Sequence, residues 1–108
     1  MSMYFKEIEE NMNVDFLAKL DEAREFAGIP FIINSAFRTP EKNAEVGGKS
    51  NSSHLRGLAV DIKVKDSRTR SVVLNSLIAS GFTRMGIGDT FIHVDMDTEK
   101  SQNVIWTY

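Results

Sequence analysis

Apolar residues recur three and four positions apart in two stretches of this chain, one beginning at Asn13 and the other at Asp66. This spacing predicts two amphipathic helices, which Asn13 or Asp15 and Asp66 or Ser67 can cap. The apolar positions are Phe16, Leu17, Leu20, Ala23, Phe26 and Ala27 in the first helix, and Val72, Val73, Leu74, Leu77 and Ile78 in the second. Each helix therefore has one face to bury against the rest of the molecule.

Other stretches alternate between apolar and polar residues, as strands with one buried face do. Between positions 58 and 64 the even-numbered residues are apolar. In the stretch 91–96, Ile92, Val94 and Met96 point one way, and His93 and Asp95 point the other way. Further strands are predicted over 31–37, 82–87 and 104–108, with a short helix over 40–45. The order of elements predicts an α+β fold in which both amphipathic helices pack on one face of a mainly antiparallel sheet.

Composition and charge are consistent with one globular domain over residues 1–108. Hydrophobic residues make up 42% of the chain and charged residues 26%, which are ordinary proportions. A formal net charge of −2 argues against a nucleic-acid partner, because such proteins carry a clustered basic surface. We also expect no membrane partner and no secretory signal, since no segment has the required apolar length or basic start. We expect a monomer that either stays in the cytoplasm of the cell that makes it or leaves by another route, such as lysis or incorporation into a particle.

Both histidines of the chain lie near carboxylates in short polar motifs. If the polar faces of the two central strands are the same side of one sheet, Asp61 and His93 can meet across neighbouring strands. His54 would enter from the loop at the head of the strand that carries Asp61, and the small residues Gly57 and Ala59 would leave room beside a metal. The chain has no cysteine, so any metal must be held by imidazole and carboxylate, which favours zinc or another borderline divalent ion. On spacing alone, a purely structural role for these residues is an equal alternative.

Three blocks of the sequence carry a resemblance to a known family. They are Ser35-x-x-Arg38-Thr39-Pro40-x-x-Asn43, Ser52-x-His54-x-x-Gly57-x-Ala59-x-Asp61 and His93-x-Asp95. In this order they resemble the zinc D-Ala-D-Ala carboxypeptidase family of metallopeptidases, in particular its small catalytic domain in phage and bacterial cell-wall proteins. The resemblance implies the fold shared with hedgehog-type domains. It also implies a zinc ion bound by His54, Asp61 and His93, and hydrolysis of peptidoglycan peptides by an endolysin-like enzyme.

The resemblance also implies roles for two polar residues beside the metal. Arg38 is the cation that faces the substrate, because its planar guanidinium suits a terminal carboxylate or a developing oxyanion. A surface ion pair, or a charge that stabilises the following turn, is the structural alternative for Arg38. Ser52 either contacts the substrate or caps its loop.

The general base is where this chain departs from the family pattern. Several relatives have a carboxylate or histidine a few residues before the last zinc histidine, whereas this chain has Thr90 three positions before His93. Asp89 and Asp95 are the available carboxylates. We predict Asp89 as the proton acceptor, and Asp95 as the residue that matters more to the site, either as a base or as the acceptor that orients the His93 ring.

Two other functions are compatible with the same residues. A zinc-stabilised binding or structural domain of this fold would need no general base, and Thr90 favours it. Retention of Arg38 and of the loop serine Ser52 argues against it. A non-haem iron oxygenase uses two histidines and a carboxylate, which His93-x-Asp95 and a distant histidine can supply. In the common enzymes of that class, however, the second histidine lies downstream of the pair rather than upstream, as His54 does.

Overall fold

The structure is a computed structural model that describes residues 2–108. Within those residues, three α-helices and five strands form an α+β fold, and the predicted fold class is confirmed. The helices are α1 (Val14–Ala27), α2 (Pro40–Glu45) and α3 (Ser67–Ala79); the strands are β1 (Ile33–Ser35), β2 (Ala59–Lys63), β3 (Arg84–Ile87), β4 (Phe91–Asp95) and β5 (Val104–Thr107).

The five strands form one sheet in the order β1-β2-β4-β3-β5. Neighbouring strands are antiparallel, except that β3 and β5 are parallel. After β4 the chain crosses past β3 to the edge of the sheet, where β5 runs in the same direction as β3. In the central pair, Asp61 of β2 lies opposite His93 of β4. The register therefore places these two side chains on the same face of the sheet, as the alternating pattern predicts.

The hydrophobic core lies between the sheet and the two long helices. α1 and α3 pack against each other, and Phe16, Leu20 and Leu77 are fully buried together with Ile62 and Ile92 of the sheet. Because the even-numbered residues of β2 and β4 face this core, the odd-numbered ones face the opposite side. The prediction fails for Phe26 and Ile78, which are exposed (59% and 48%) although their spacing places them on the buried faces.

The long helices begin where capping chemistry predicts. The side chain of Asn13 accepts a hydrogen bond from the backbone N–H of Phe16, and that of Asp66 accepts one from Thr69. Each bond satisfies an N–H group that the first turn of a helix leaves unpaired. Of the helices described in residues 2–108, none combines the length and the apolar character needed to cross a membrane.

The segment that carries His54 differs from the prediction. It is a 3-10 helix, Ser53–Arg56, rather than a loop, and Gly57 ends it with a left-handed φ of 67°. A Cβ at Gly57 would overlap the backbone oxygen of Asn11. The absent side chain thus makes room for the segment before α1, and not, as the sequence suggested, for a metal ion.

Candidate metal centre

His54, Asp61 and His93 come together on the face of the sheet that is opposite the helices. One donor atom from each lies within 4.8 Å of the other two. Oδ1 of Asp61 is 3.0 Å from Nδ1 of His93 and 3.4 Å from Nε2 of His54. Two imidazole nitrogens and a carboxylate oxygen at this spacing can hold a metal ion. These are the three residues that the sequence predicts as ligands.

The orientation of His54 is set by the segment that follows β1. Its Nδ1 lies 2.7 Å from the backbone oxygen of Ala36, and its own backbone oxygen accepts a hydrogen bond from the N–H of Arg38. Because the carbonyl of Ala36 can only accept, Nδ1 carries the proton and Nε2 is left with a free lone pair. That lone pair belongs to the nitrogen nearest Asp61, as a metal-binding histidine requires.

His93 is held between two carboxylates. Nδ1 faces Asp61, while Nε2 lies 2.8 Å from Oδ2 of Asp95. Oδ1 of Asp95 accepts a hydrogen bond from Nε of Arg84 at 2.7 Å, and the Asp95 side chain is almost completely buried. Both oxygens of Asp95 are therefore engaged. This arrangement suits the predicted orienting role, and it leaves no free oxygen for the alternative role of general base.

Burial and hydrogen bonding act in opposite directions on the ionisation of this cluster. Burial alone raises the pKa of Asp61, but the neighbouring imidazole groups of His54 and His93 outweigh burial, and the pKa lies well below its ordinary value. Burial alone lowers the pKa of His93, yet its hydrogen bonds to Asp61 and Asp95 outweigh burial and raise the pKa. The cluster therefore favours an ionised carboxylate that faces a positive charge. A bound cation would take the place of the proton on Nδ1 of His93.

Arg38 lies at the edge of the three predicted ligands. Its Nε donates to the hydroxyl of Ser35 at 3.1 Å, and one terminal nitrogen donates to the side-chain oxygen of Asn43 at 3.3 Å. The other terminal nitrogen is 3.5 Å from Oδ2 of Asp61. These contacts hold the guanidinium plane in the wall of the cleft, and they also include the ion pair that the structural alternative predicts.

Two other predicted site residues are placed differently. The hydroxyl of Ser52 accepts a hydrogen bond from the backbone N–H of His54 at 3.2 Å, so Ser52 caps the 3-10 helix, and it also lines the cleft. Asp89 is exposed in the turn before β4, where its backbone oxygen accepts a hydrogen bond from Arg70. Asp89 is not among the described residues that line the cleft around His93. Its position therefore gives no support to Asp89 as the proton acceptor.

A cleft of about 630 Å³ opens over the three predicted ligands. Its walls include residues that the sequence reasoning did not single out. They are Arg84, Phe91, Lys100, Trp106 and Tyr108. The strand pattern could have indicated Arg84, because a charged residue within a strand of the sheet needs a partner of opposite charge, such as Asp95. The aromatic residues gave no such signal, because the parallel placement of β5 beside β3 does not follow from the pattern.

A second polar cluster, also missed, ties the 3-10 helix to the segment after β4. The hydroxyl of Ser53 donates to the fully buried carboxylate of Asp97 at 2.6 Å. Arg56 pairs with the same carboxylate, and the ammonium group of Lys100 lies 3.0 Å from the Ser53 hydroxyl. Because Ser53 precedes His54, this cluster holds the backbone that carries one of the predicted ligands.

Comparison with known families adds a match over most of the chain. Residues 3–95 match the model of the family described as Peptidase M15. The matched span contains His54, Asp61, His93 and Asp95, and it ends before β5. No curated protein matches the chain.

Proposed function

The chain belongs to the peptidase M15 family, and from this premise we propose that it is a zinc-dependent peptidase that cleaves a peptide bond in the stem or cross-link peptides of peptidoglycan. The observation that carries the proposal is the convergence of one donor atom each from His54, Asp61 and His93 within 4.8 Å. Family membership supports peptidase chemistry. The choice of peptidoglycan rests on the resemblance of the three sequence blocks to cell-wall peptidases.

The donor set fits zinc. Catalytic zinc sites use three protein ligands from imidazole and carboxylate and leave a fourth position open. In this chain the two remaining imidazole nitrogens are already hydrogen-bonded, Nδ1 of His54 to Ala36 and Nε2 of His93 to Asp95. When bound here, zinc would supply a Lewis acid that polarises a carbonyl and lowers the pKa of water to about 7.

The other residues of the cleft would position the substrate. The guanidinium of Arg38, held by Ser35 and Asn43, presents N–H donors toward the cleft that suit a terminal carboxylate or a developing oxyanion. Phe91 and Tyr108 form an apolar wall, with their ring centroids 5.1 Å apart. A cation beside an apolar surface suits a short peptide that ends in a small apolar residue with a free carboxylate.

A second function is favoured by one observation. Of the described residues that line the cleft, the carboxylates are those of Asp61 and Asp95, and imidazole groups hydrogen-bond both. A metal-stabilised binding domain of the same fold would need no free carboxylate. We prefer the peptidase because Arg38 is held at the cleft, where a site with only a structural metal has no use for an ordered cation.

One digestion separates these functions. Purified peptidoglycan is incubated with the zinc-loaded protein, with the protein after chelation and with the chelated protein after zinc is restored, and the fragments are analysed by mass spectrometry. The proposal predicts new peptide termini that disappear on chelation and return with zinc, and that His93→Ala does not produce. Zinc binding without cleavage supports the binding domain. Cleavage that persists in the chelated protein and in His93→Ala contradicts the proposed site.

A further inference from the structure

Gly86 separates His93 from Trp106 in a row across three strands. In the sheet register, Gly86 of β3 is the partner of His93 on β4 and of Trp106 on β5. Residues paired in this way project from the same face of a sheet. The middle position of the row has no side chain, and so a gap lies between the imidazole and the indole.

The indole of Trp106 fills this gap. A Cβ at Gly86 would lie 2.5 Å from the indole nitrogen and 2.6 Å from the adjacent ring carbon, closer than side chains pack. The centroids of the Trp106 and His93 rings are 5.7 Å apart, with their planes 48° from parallel. Their backbones lie about 10 Å apart, because two strand spacings separate β4 from β5. The rings meet because the residue between them is glycine.

The same indole also lies against Arg84, which supports His93 through Asp95 at the Nε2 edge of the imidazole ring. The guanidinium carbon of Arg84 is 4.9 Å from the centroid of the Trp106 ring, and Nε of Arg84 donates to Asp95. Asp95 in turn accepts from Nε2 of His93. Trp106 thus packs on both ends of this hydrogen-bonded chain.

We infer that Gly86 and Trp106 are a positioning pair for His93: the bare backbone of Gly86 seats the indole, and the indole keeps the imidazole turned with Nδ1 toward Asp61. The inference rests on the proposed metal centre and adds Gly86 and Trp106 to the residues that support that centre. Trp106 lies outside the residues that the family model matches. Neither residue touches the reacting atoms, so their effect is on metal affinity.

Zinc affinity, measured by competition with a chromophoric chelator, tests the pair. Gly86→Ala and Trp106→Ala should each weaken zinc binding by about tenfold or more, the usual effect of removing support from a metal ligand. In Gly86→Ala, the emission of Trp106, the chain's single tryptophan, should shift as the indole is displaced. The absorption spectrum of the Co²⁺-loaded protein should change as well, because the geometry of its ligands changes.

A double variant and a control substitution at another glycine distinguish the positioning of His93 from a general loss of stability. Gly86→Ala combined with Trp106→Ala should bind zinc as well as Trp106→Ala alone, because the added methyl group no longer has a ring to displace. Gly88→Ala introduces the same methyl group against Phe91, whose ring packs against that of Tyr108. This control should lose stability and keep its zinc affinity within about twofold.

The outcomes distinguish this inference from the function it rests on. If the unaltered protein does not bind zinc, the metal centre and the positioning pair are both overturned. If it binds zinc and both single variants bind equally well, the positioning pair alone is overturned. Additive losses in the double variant would also overturn it. Should Gly86→Ala fail to fold, Trp106→Ala compared with Trp106→Phe decides, because phenylalanine retains part of the packing and should restore part of the affinity.

Discussion

Asp95 lies 2.8 Å from Nε2 of His93, on the ring edge away from the nitrogen that faces Asp61. Because a carboxylate beside Nε2 holds a proton there, Nδ1 is the nitrogen left to bind a metal ion. Arg84 holds the carboxylate in turn. The tautomer and the orientation of His93 therefore depend on a side chain that would not itself touch the metal.

Replacing this carboxylate tests its role. Asp95→Asn removes the charge that supports the His93 ring, and zinc affinity should fall about tenfold. Asp89→Asn is the matched control, since Asp89 lies exposed in the turn before β4, and both zinc affinity and turnover should be unchanged. Equal affinity in Asp95→Asn and the unaltered protein would show that the ring is held by other contacts. A loss of turnover in Asp89→Asn would restore Asp89 as a candidate base.

Arg38 is predicted to act on the substrate and not on the metal. Arg38→Lys keeps the charge but loses the planar fork, so turnover should fall about a hundredfold while zinc content stays the same. Arg68→Lys, the same change on the exposed start of α3, should leave turnover unaltered. Unchanged turnover in Arg38→Lys would reduce its role to the ion pair with Asp61.

Two glycines with the same backbone conformation separate strain from steric overlap. Gly28 and Gly57 have φ values of 68° and 67°, but a Cβ at Gly28 meets nothing within 4 Å, whereas one at Gly57 would overlap Asn11. Gly28→Ala should cost about 1 kcal/mol of unfolding free energy from strain alone. Gly57→Ala should cost about 2 kcal/mol more. Urea unfolding of both variants measures the difference, and equal losses would contradict the tight contact with the segment before α1.

The ionisation of Asp97 should make the stability of the fold depend on pH. Burial alone raises its pKa, but hydrogen bonds from Ser53 and the backbone N–H of Glu99, together with Arg56, hold the pKa below its ordinary value of 3.8. The ionised form is therefore favoured in the fold. Its contribution is complete above the unfolded-state pKa and is lost as the pH falls through the lower folded-state value.

Asp97→Asn should therefore be less stable than the unaltered protein at pH 7, by about 2 kcal/mol. This difference in unfolding free energy should shrink below pH 4, where the carboxylate of the unaltered protein also becomes neutral. Urea unfolding of the metal-free proteins across this range gives the comparison. If the difference in unfolding free energy does not change with pH, Asp97 stabilises the fold by its shape and not by its charge.

The sequence was most informative where chemistry is local or periodic. Alternation in β2 and β4 placed Asp61 and His93 on one face, and their register confirms that the two residues meet. The caps at Asn13 and Asp66 are also confirmed, because a cap depends on residues only three positions apart.

What could not be predicted depends on contacts between distant segments. The packing of Trp106 on His93 requires β5 to lie parallel beside β3, and no local pattern specifies which strand an edge strand joins. The small size of Gly57 suggests room for a metal ion, whereas the residue that it accommodates is Asn11, 46 positions earlier in the chain. The short sequence distance between Asp89 and His93 favours Asp89 as the base, but Asp89 lies in the turn before β4 and does not line the cleft.

The zinc content of the purified protein tests the central claim most directly. Elemental analysis should find about one zinc ion per chain in the unaltered protein and almost none in His93→Ala or His54→Ala, since three ligands are needed to hold the ion. Lys63→Ala, on the same strand as Asp61 and exposed, is the control that should keep the full equivalent. A full equivalent of zinc in His93→Ala would contradict the claim that His54, Asp61 and His93 form the metal centre.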